Sequence, residues 1–317
     1  MRHLERLGDH MIISIPSDED GLTGRECPNP DCLGYFKIKL GTGLKGEDLP
    51  CHCPYCGHTG SPDQFWTQDQ IEYVRSVAFN QISRALQQDF REMDRQLRRA
   101  SRGSFIQLRM EYKGRRHPIH YYQEKRLETK VTCDACTLEY AIYGVFAYCP
   151  DCRTHNSIQI LNKNLELAEK QVTLANGEDG DFSAYLIADA LENAVSAFDG
   201  FGRELCAVHA ASASNPGRAQ NISFQNLIRA DQRVQELFDI SLSGSLDANE
   251  WEFISRCFQK RHLFAHKMGV VDQAYIDASG DTQAVVGRKV SIAPDEVTTL
   301  IAHLRRLGAY LFARLAS

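Results

Sequence analysis

The sequence RHLFAH, residues 261–266, places an arginine and two histidines in a helical stretch of the C-terminal half that is rich in large apolar residues. A guanidinium group can neutralise an anionic oxygen, and an imidazole can accept or donate a proton near neutral pH. Arg261, His262 and His266 are therefore candidates for a cationic site that transfers protons.

The helix that carries these residues is predicted to begin near Ser245 or Asp247 and to end at Gly269. A separation of five residues rotates a side chain by about 140° around a helix, so Arg261 and His266 do not share one face. They would converge if the last turn were distorted, or if two symmetry-related helices pooled their side chains. Two apolar stripes favour a second copy of the chain, because a helix that is apolar on two sides is usually buried on both. The stripes are Trp251, Ile254, Phe258 and Ala265, and Phe253, Cys257 and Phe264.

A structural interpretation of the same residues stays open. In it, Arg261 pairs with an acidic neighbour such as Glu252 or Asp272, and His266 interacts with the negative end of the helix dipole. Glu192 and Glu204, on another predicted helix, are further acids for a site, and the sequence does not distinguish between them.

The longer stretch RHLFAHKMGVVDQAY resembles the signature of HEPN domains, which are all-helical modules marked by an arginine, four to six residues and a histidine. The polar His262 directly after Arg261 is similar to members of that family, and so are the trailing Gly269, Asp272 and Tyr275. The resemblance covers the C-terminal half of the chain, from about residue 160 onward.

This resemblance implies a metal-independent RNA endonuclease whose active site forms between two protomers. Arg261, His262 and His266 are its expected catalytic residues, RNA is its expected substrate, and a homodimer through the helical domain is its expected assembly. HEPN ribonucleases often act as toxins or antiviral defence effectors when triggered, so a protein partner or another trigger is also expected.

Paired cysteines nearer the N-terminus have the spacing of zinc ligands. They form two groups, Cys27, Cys32, Cys53 and Cys56, and Cys133, Cys136, Cys149 and Cys152. Each tight turn offers two thiolates, and two turns complete a tetrahedral site, so the sequence predicts two four-cysteine zinc ribbons with structural zinc. Cys51 competes with Cys53 as a ligand of the first site, although the sequence CPYCG favours Cys53.

The segment between the two cysteine groups is basic. It carries 12 Lys and Arg against 5 Asp and Glu from residue 91 to residue 130, while the whole chain has a net charge of −5. A helix is predicted from about Thr67 to Arg99, followed by a strand of alternating residues from Ile106 to Tyr112. Basic residues next to aromatic ones can bind phosphates and stack unpaired bases, and a solvated helix face is the open alternative. The candidate nucleic-acid-binding residues are Arg95, Arg98, Arg99, Lys113, Arg115 and Arg116.

These patterns divide the chain into a first zinc ribbon (1–66), a long helix with a basic connector (67–126), a second zinc ribbon (127–158) and a HEPN-like domain (159–317). The predicted fold is multidomain, with two β-rich ribbons joined by a long helix and followed by an all-α helical bundle. No apolar run approaches the roughly 18 residues of a membrane span, and the N-terminus lacks the features of a secretory signal. We therefore expect a cytoplasmic protein with no membrane partner.

A second class of function stays open on the sequence alone. In it, the ribbons contact nucleic acid or a protein while the helical domain only dimerises, which gives a non-catalytic binding or adaptor protein. A transcription-type regulator would need a sequence-reading helix, and none is distinct in this chain. Replacement of Arg261 or His266 separates an enzyme from a binding protein, because binding alone should survive either change.

Overall fold

The computed structural model describes residues 2–8, 10–46, 49–102, 105–106 and 109–316. The chain divides into two compact units, Met1–Thr154 (unit 1) and His155–Ser317 (unit 2). The described strands all lie in unit 1, and unit 2 is helical. This confirms the predicted β-rich N-terminal region and helical C-terminal region. Among the described residues, none of the helices combines the length and the apolarity that a membrane crossing requires.

Unit 1 begins with the short helix α1 (Arg2–Glu5) and forms two antiparallel sheets. Its strands are β1 (Leu22–Glu26), β2 (Tyr35–Lys39), β3 (Cys51–His52), β4 (Thr59–Gly60), β5 (Thr129–Thr132) and β6 (Glu139–Ile142). A 3-10 helix, Pro62–Phe65, follows β4 and leads into the long helix α2 (Gln68–Ala100). The larger sheet has the strand order β1-β2-β6-β5, and β3 pairs with β4 in the smaller one.

The central strand pair of the larger sheet joins the two cysteine-rich segments. Lys37 of β2 is opposite Ala141 of β6, and Ile38 is opposite Tyr140. Side chains from both segments also form one buried cluster, which includes Phe36, Phe65, Leu138, Tyr140, Ile142 and most of the paired cysteines. The two predicted ribbons are therefore parts of one folded unit.

Helix α2 is 33 residues long and lies where the sequence predicts it. The hydroxyl of Thr67 accepts a hydrogen bond from the N–H of Gln70, and the side chain of Gln70 accepts one from the N–H of Thr67. This capping box satisfies two amide groups at the start of the helix. The predicted start of the helix is thus confirmed.

An extended segment, residues 109–124, runs back along α2 and is called the strap. Side chains of the helix hold it in place. The bonded pairs are Asp94 with Met110, Gln87 with Arg116, Ser83 with His117, Ser76 with His120 and Gln70 with Glu124. The helix numbers fall as the strap numbers rise, so the strap is antiparallel to α2.

The strand predicted from Ile106 to Tyr112 is wrong. Residues 105–106 and 109–112 form no strand, and Leu108 lies outside the described residues. Met110 donates its N–H to a helix carboxylate, and the ring of Tyr112 stacks on Phe90 with the centroids 5.2 Å apart. Met110 and Tyr112 therefore contact a helix rather than a neighbouring strand.

Unit 2 consists of helices around one apolar core. They are α3 (Ser157–Ala175), α4 (Gly180–Val208), α5 (Pro216–Ala219), α6 (Leu227–Phe238), α7 (Ala248–Lys267), α8 (Gln273–Ser279) and α9 (Pro294–Ala316), with 3-10 helices at Ala210–Ser212 and Ser243–Ser245. Helices α3, α4 and α9 pack against one another, and α7 packs against α4 and α9. Phe198 of α4 is fully buried, and its ring contacts Phe201, Phe224 and Phe258.

Both apolar stripes of α7 contact the core of unit 2. Ile254, Cys257 and Phe258 are buried in the main cluster. Trp251, Phe253 and Phe264 are partly buried and pack against the same cluster. The stripes therefore find their partners within the chain and do not by themselves require a second copy.

Two glycines of α4 give a matched test of this packing. A Cβ at Gly202 would lie 2.6 Å from the ring of Phe224, whereas a Cβ at Gly200 would meet no atom within 4 Å. We expect Gly202→Ala to lower the free energy of unfolding by about 1–3 kcal/mol, because the buried ring must move. Gly200→Ala should leave it unchanged or raise it by up to about 1 kcal/mol, since alanine is the better helix former. Urea unfolding measures both, and equal values for the two variants would contradict this packing.

Candidate functional site

Helix α7 carries the predicted catalytic residues in its last two turns. At its start, Asp247 accepts a hydrogen bond from the N–H of Glu250, whose side chain accepts one from the N–H of Asp247. At its end, Met268 and Gly269 both adopt left-handed backbone angles, with φ of 52° and 78°. The N–H of Gly269 bonds to the carbonyl of Leu263 at 3.0 Å. The predicted cap at Asp247 and the left-handed end at Gly269 are thus confirmed.

The chain after α7 folds back and anchors the end of the helix. Gly269 and Val271 form backbone hydrogen bonds with residues 287–290. Leu263, Val271 and Tyr275 form a small buried cluster of their own. The helix continues without a break to Lys267, so the motif's arginine and its second histidine stay on different faces.

His262 and His266, called the histidine pair, lie one turn apart on an exposed face of α7. Their ring centroids are 4.8 Å apart, and their planes are inclined by 58°. Partial burial lowers the pKa of His262 below its ordinary value, and the charges of His266, Lys267 and Arg261 lower it further. A lowered pKa favours the neutral form of His262, which is the form that accepts a proton.

Arg261 lies on the buried side of the same turn, with 9% of its surface exposed. Its Nη2 donates to Oε1 of Glu192 on α4 at 3.4 Å. Glu204, the other acid on α4 that the sequence suggested, lies 3.5 Å from His155 instead. The structure thus places Glu192 beside Arg261, a choice that the sequence left open.

The acids that the structural interpretation assigned to Arg261 have other partners. Glu252 accepts a hydrogen bond from Arg256 at 3.1 Å, and Asp272 accepts one from Lys267. Those two pairings were therefore wrong, although Arg261 does have an acidic partner in Glu192. Glu252 and Arg256 are four residues apart on α7, a spacing at which helix side chains are neighbours. Asp272 lies just beyond the end of α7 and pairs with the last residue of that helix.

Eight cysteine thiols of unit 1 meet in two groups of four. Within each group the sulfur atoms all lie within 4.8 Å of one another. The Sγ–Sγ distances are 3.6 Å for Cys27–Cys56, 3.7 Å for Cys32–Cys53, 3.6 Å for Cys133–Cys152 and 3.5 Å for Cys136–Cys149. A tetrahedral zinc ion with Zn–S bonds of about 2.3 Å separates its sulfurs by about 3.8 Å. Both groups therefore have the donor set and spacing that structural zinc requires.

The four cysteine turns share one backbone feature. The residue directly after the second cysteine has a left-handed φ at Leu33 (47°), Gly57 (68°), Thr137 (66°) and Arg153 (62°). This conformation costs a non-glycine residue roughly 1–2 kcal/mol, and it is least favourable for a β-branched one such as Thr137. Metal binding would offset that cost, because it releases binding free energy only when the turn is formed.

The six candidate nucleic-acid-binding residues lie on the second half of α2 and on the strap. Arg95, Arg98, Arg99, Lys113, Arg115 and Arg116 are all exposed. Arg98 pairs with Asp94 at 2.8 Å, and Nε of Arg116 donates to Gln87 at 3.3 Å. Because the strap returns along the helix, the structure brings the two sets together on one part of unit 1.

Comparison of the chain with protein-family models, with curated proteins and with solved structures found no match. The interpretation of the site therefore depends on its own residues and their geometry.

Cys51 and Cys53 provide a test of the first zinc site. Cys53 belongs to the group of four, whereas the buried Cys51 lies outside it. We expect the purified protein to bind two zinc ions per chain, Cys53→Ser to bind one, and Cys51→Ser to keep two. Metal analysis by mass spectrometry measures this. A loss of zinc from the Cys51 variant with retention in the Cys53 variant would show that the ligand set is wrong.

The histidine pair makes a prediction about protonation. We expect the pKa of His262 to lie below the ordinary histidine value and to rise when His266 is replaced by glutamine, because one neighbouring positive charge is removed. NMR titration of the imidazole protons measures both values. An Arg229→Gln variant, which removes an exposed positive charge from α6, should leave the pKa of His262 unchanged. An unchanged pKa in the His266 variant would mean that the two rings do not interact.

Proposed function

We propose that the chain is a metal-independent RNA endonuclease of the HEPN type that uses Arg261, His262 and His266. The observation that supports this proposal is the histidine pair, two imidazoles 4.8 Å apart on an exposed helix face. Next to it, Arg261 is fixed by Glu192. Such a pair supplies a proton acceptor and a proton donor close enough together to serve one phosphodiester group.

RNA carries its own nucleophile, the 2′-hydroxyl beside the scissile phosphate. In the proposed reaction, His262 takes the proton of this hydroxyl while its oxygen forms a bond to phosphorus. The bond from phosphorus to the 5′ oxygen breaks, and His266 protonates the departing oxygen. The positive charge of Arg261 stabilises the negative charge that grows on the phosphoryl oxygens. The products are a 2′,3′-cyclic phosphate end and a 5′-hydroxyl end.

The proposed active site is completed by a second copy of the chain. Arg261 and His266 are separated by about 140° around α7, so one helix does not present both to the same phosphate. In a symmetric dimer, the arginine of one protomer lies near the histidine pair of its partner. The resemblance to HEPN ribonucleases implies the same arrangement.

Unit 1 has the role of recognition in this proposal. Four thiolates leave zinc no open coordination position, so the zinc that the cysteines would hold supports the fold and not the reaction. The zinc-binding unit then binds nucleic acid or a protein partner and controls a nuclease that acts as a toxin or an antiviral defence effector. RNA is the substrate, and the trigger acts through unit 1.

One observation favours the alternative, a non-catalytic nucleic-acid-binding or adaptor protein. Arg261 is buried and ion-paired, as a residue with a structural role would be. In this alternative, unit 2 only dimerises, and His262 and His266 have no role in proton transfer. The two functions differ in whether RNA is cut.

Cleavage is tested by incubating the protein with cellular RNA in a buffer without added divalent metal, after zinc analysis has shown two bound ions per chain. We expect cleavage products with cyclic phosphate ends. His262→Ala and His266→Ala should each lower the rate by about 10²–10⁴-fold, because each removes one proton-transfer group. Gel electrophoresis and end-group analysis give the readout.

His10→Ala is the matched control, since His10 is an exposed histidine of unit 1. It should cleave like the wild type. Equal activity in the control and both α7 variants would exclude the histidine pair as the active site. Intact RNA with every protein, together with unimpaired RNA binding, would favour the non-catalytic alternative.

A further inference from the structure

Helix α2 presents different chemistry on the two sides of the strap. The helix residues that contact the strap recur every three or four positions, at Ser76, Asn80, Ser83, Gln87, Phe90 and Asp94. Residues at this spacing form one line along a helix. The remaining residues can be placed around that line, because successive side chains rotate by about 100°.

The arginine face is the side of α2 whose residues lie about 40–140° around the helix axis from this line. The angle is counted in the direction in which the helix winds toward its C-terminus. From residue 81 to residue 100 it consists of Gln81, Arg84, Gln88, Arg91, Arg95, Arg98 and Arg99, with no acidic residue among them. Its five arginines and Gln88 are exposed. Within the described part of the chain, Arg84, Arg91 and Arg99 form no ion pair, whereas Arg98 pairs with Asp94.

The strap extends this face. Arg116 lies over Gln87, next to the arginine face, because its Nε donates to that side chain. Tyr112 stacks on Phe90, which lies on the contact line itself. The strap residues between these two contacts include Lys113 and Arg115, so three more exposed cations lie along the strap, beside the arginine face.

We propose that the arginine face binds the phosphate backbone of single-stranded RNA. From Arg84 to Arg99 the helix advances about 22 Å, which is long enough to contact several consecutive nucleotides. Arginine forms paired hydrogen bonds with phosphate oxygens. Gln88, between the arginines, offers both a donor and an acceptor to sugars or bases. The strap fixes the helix, so the charges are presented at constant spacing.

The composition of the face favours a nucleic acid over an anionic membrane. A helix that binds a membrane surface inserts large apolar side chains below the lipid headgroups. Within residues 81–100, all of which the structure describes, no large apolar side chain is exposed. Repeated phosphates along a polymer are the anion that matches a row of arginines on a helix segment that exposes no large apolar side chain.

This inference rests on the proposed function for the choice of RNA as the ligand, and it names the surface that holds this substrate. Binding is therefore measured on the His266→Ala background, in which RNA is not consumed. A failure of cleavage and a failure of binding are then seen separately.

The test variant replaces Arg84, Arg91, Arg95 and Arg99 with glutamine, which is a good helix former and keeps the side chain polar. The probe is a fluorescent single-stranded RNA of 20 nucleotides, and anisotropy gives Kd at several salt concentrations. We expect a loss of affinity of at least about tenfold. The dependence of log Kd on log salt should become shallower by about 3, since each lost phosphate contact removes about 0.7.

The matched control replaces Lys163, Lys170, Arg229 and Arg233 of unit 2 with glutamine, which removes the same formal charge from another exposed region. It should bind RNA like the parent protein.

Equal affinity of the test variant and the parent for RNA would overturn the inference. An equal loss of RNA affinity in the test variant and in the control would also overturn it. Loss of binding to phosphatidylserine vesicles with unchanged RNA binding would overturn it in favour of a membrane. If the wild type cuts no RNA but the test variant alone loses binding, the proposed nuclease fails and the RNA-binding face stands.

Discussion

The fold of unit 1 depends on bringing four thiols to within 4.8 Å of one another at two places. Thiolates at that distance repel unless they share a cation, and a zinc ion in each group would supply the charge that makes the arrangement stable. The strands around the sites are short, with only two residues in β3 and two in β4. Much of the buried cluster of unit 1 consists of the cysteines themselves. We expect a unit with so small a core to need a metal for stability, so zinc in the two cysteine groups would organise the sheet from which α2 extends.

In unit 2 the corresponding constraint is the pairing of buried cations on α7. Lys260 donates to Glu296 at 2.7 Å and to the carbonyl of Ser291 at 3.0 Å, while Arg261 is held by Glu192. Breaking a buried ion pair leaves an uncompensated charge, which is strongly destabilising. The two cations are adjacent in sequence and bind acids on different helices, so they fix the rotation of α7 about its axis. That rotation leaves the histidine pair facing outward.

The sequence was informative wherever the signal was local. The cysteine pairs, the cap residues Thr67 and Asp247 and the left-handed Gly269 act within a few residues of themselves, and the structure agrees with each. The contacts that the sequence did not reveal connect distant positions, such as β2 with β6 and Arg261 with Glu192. The strap was missed for another reason. The α2 residues that contact the strap are mostly polar, such as Ser76, Ser83 and Asp94. In a sequence, periodic polar residues are typical of a solvated helix face.

The order of strands in the larger sheet has a consequence for synthesis of the chain. Strand β2 pairs with β6 in the larger sheet. In sequence, these two strands are separated by α2 and the strap. The ribosome must therefore add about 100 residues after β2 before the sheet can close, which takes roughly 5–20 seconds at typical elongation rates. During that time the four cysteines of the first group leave the ribosome while their sheet is incomplete. Early capture of zinc by this first group would protect the nascent chain from oxidation and from pairing with other unfolded strands.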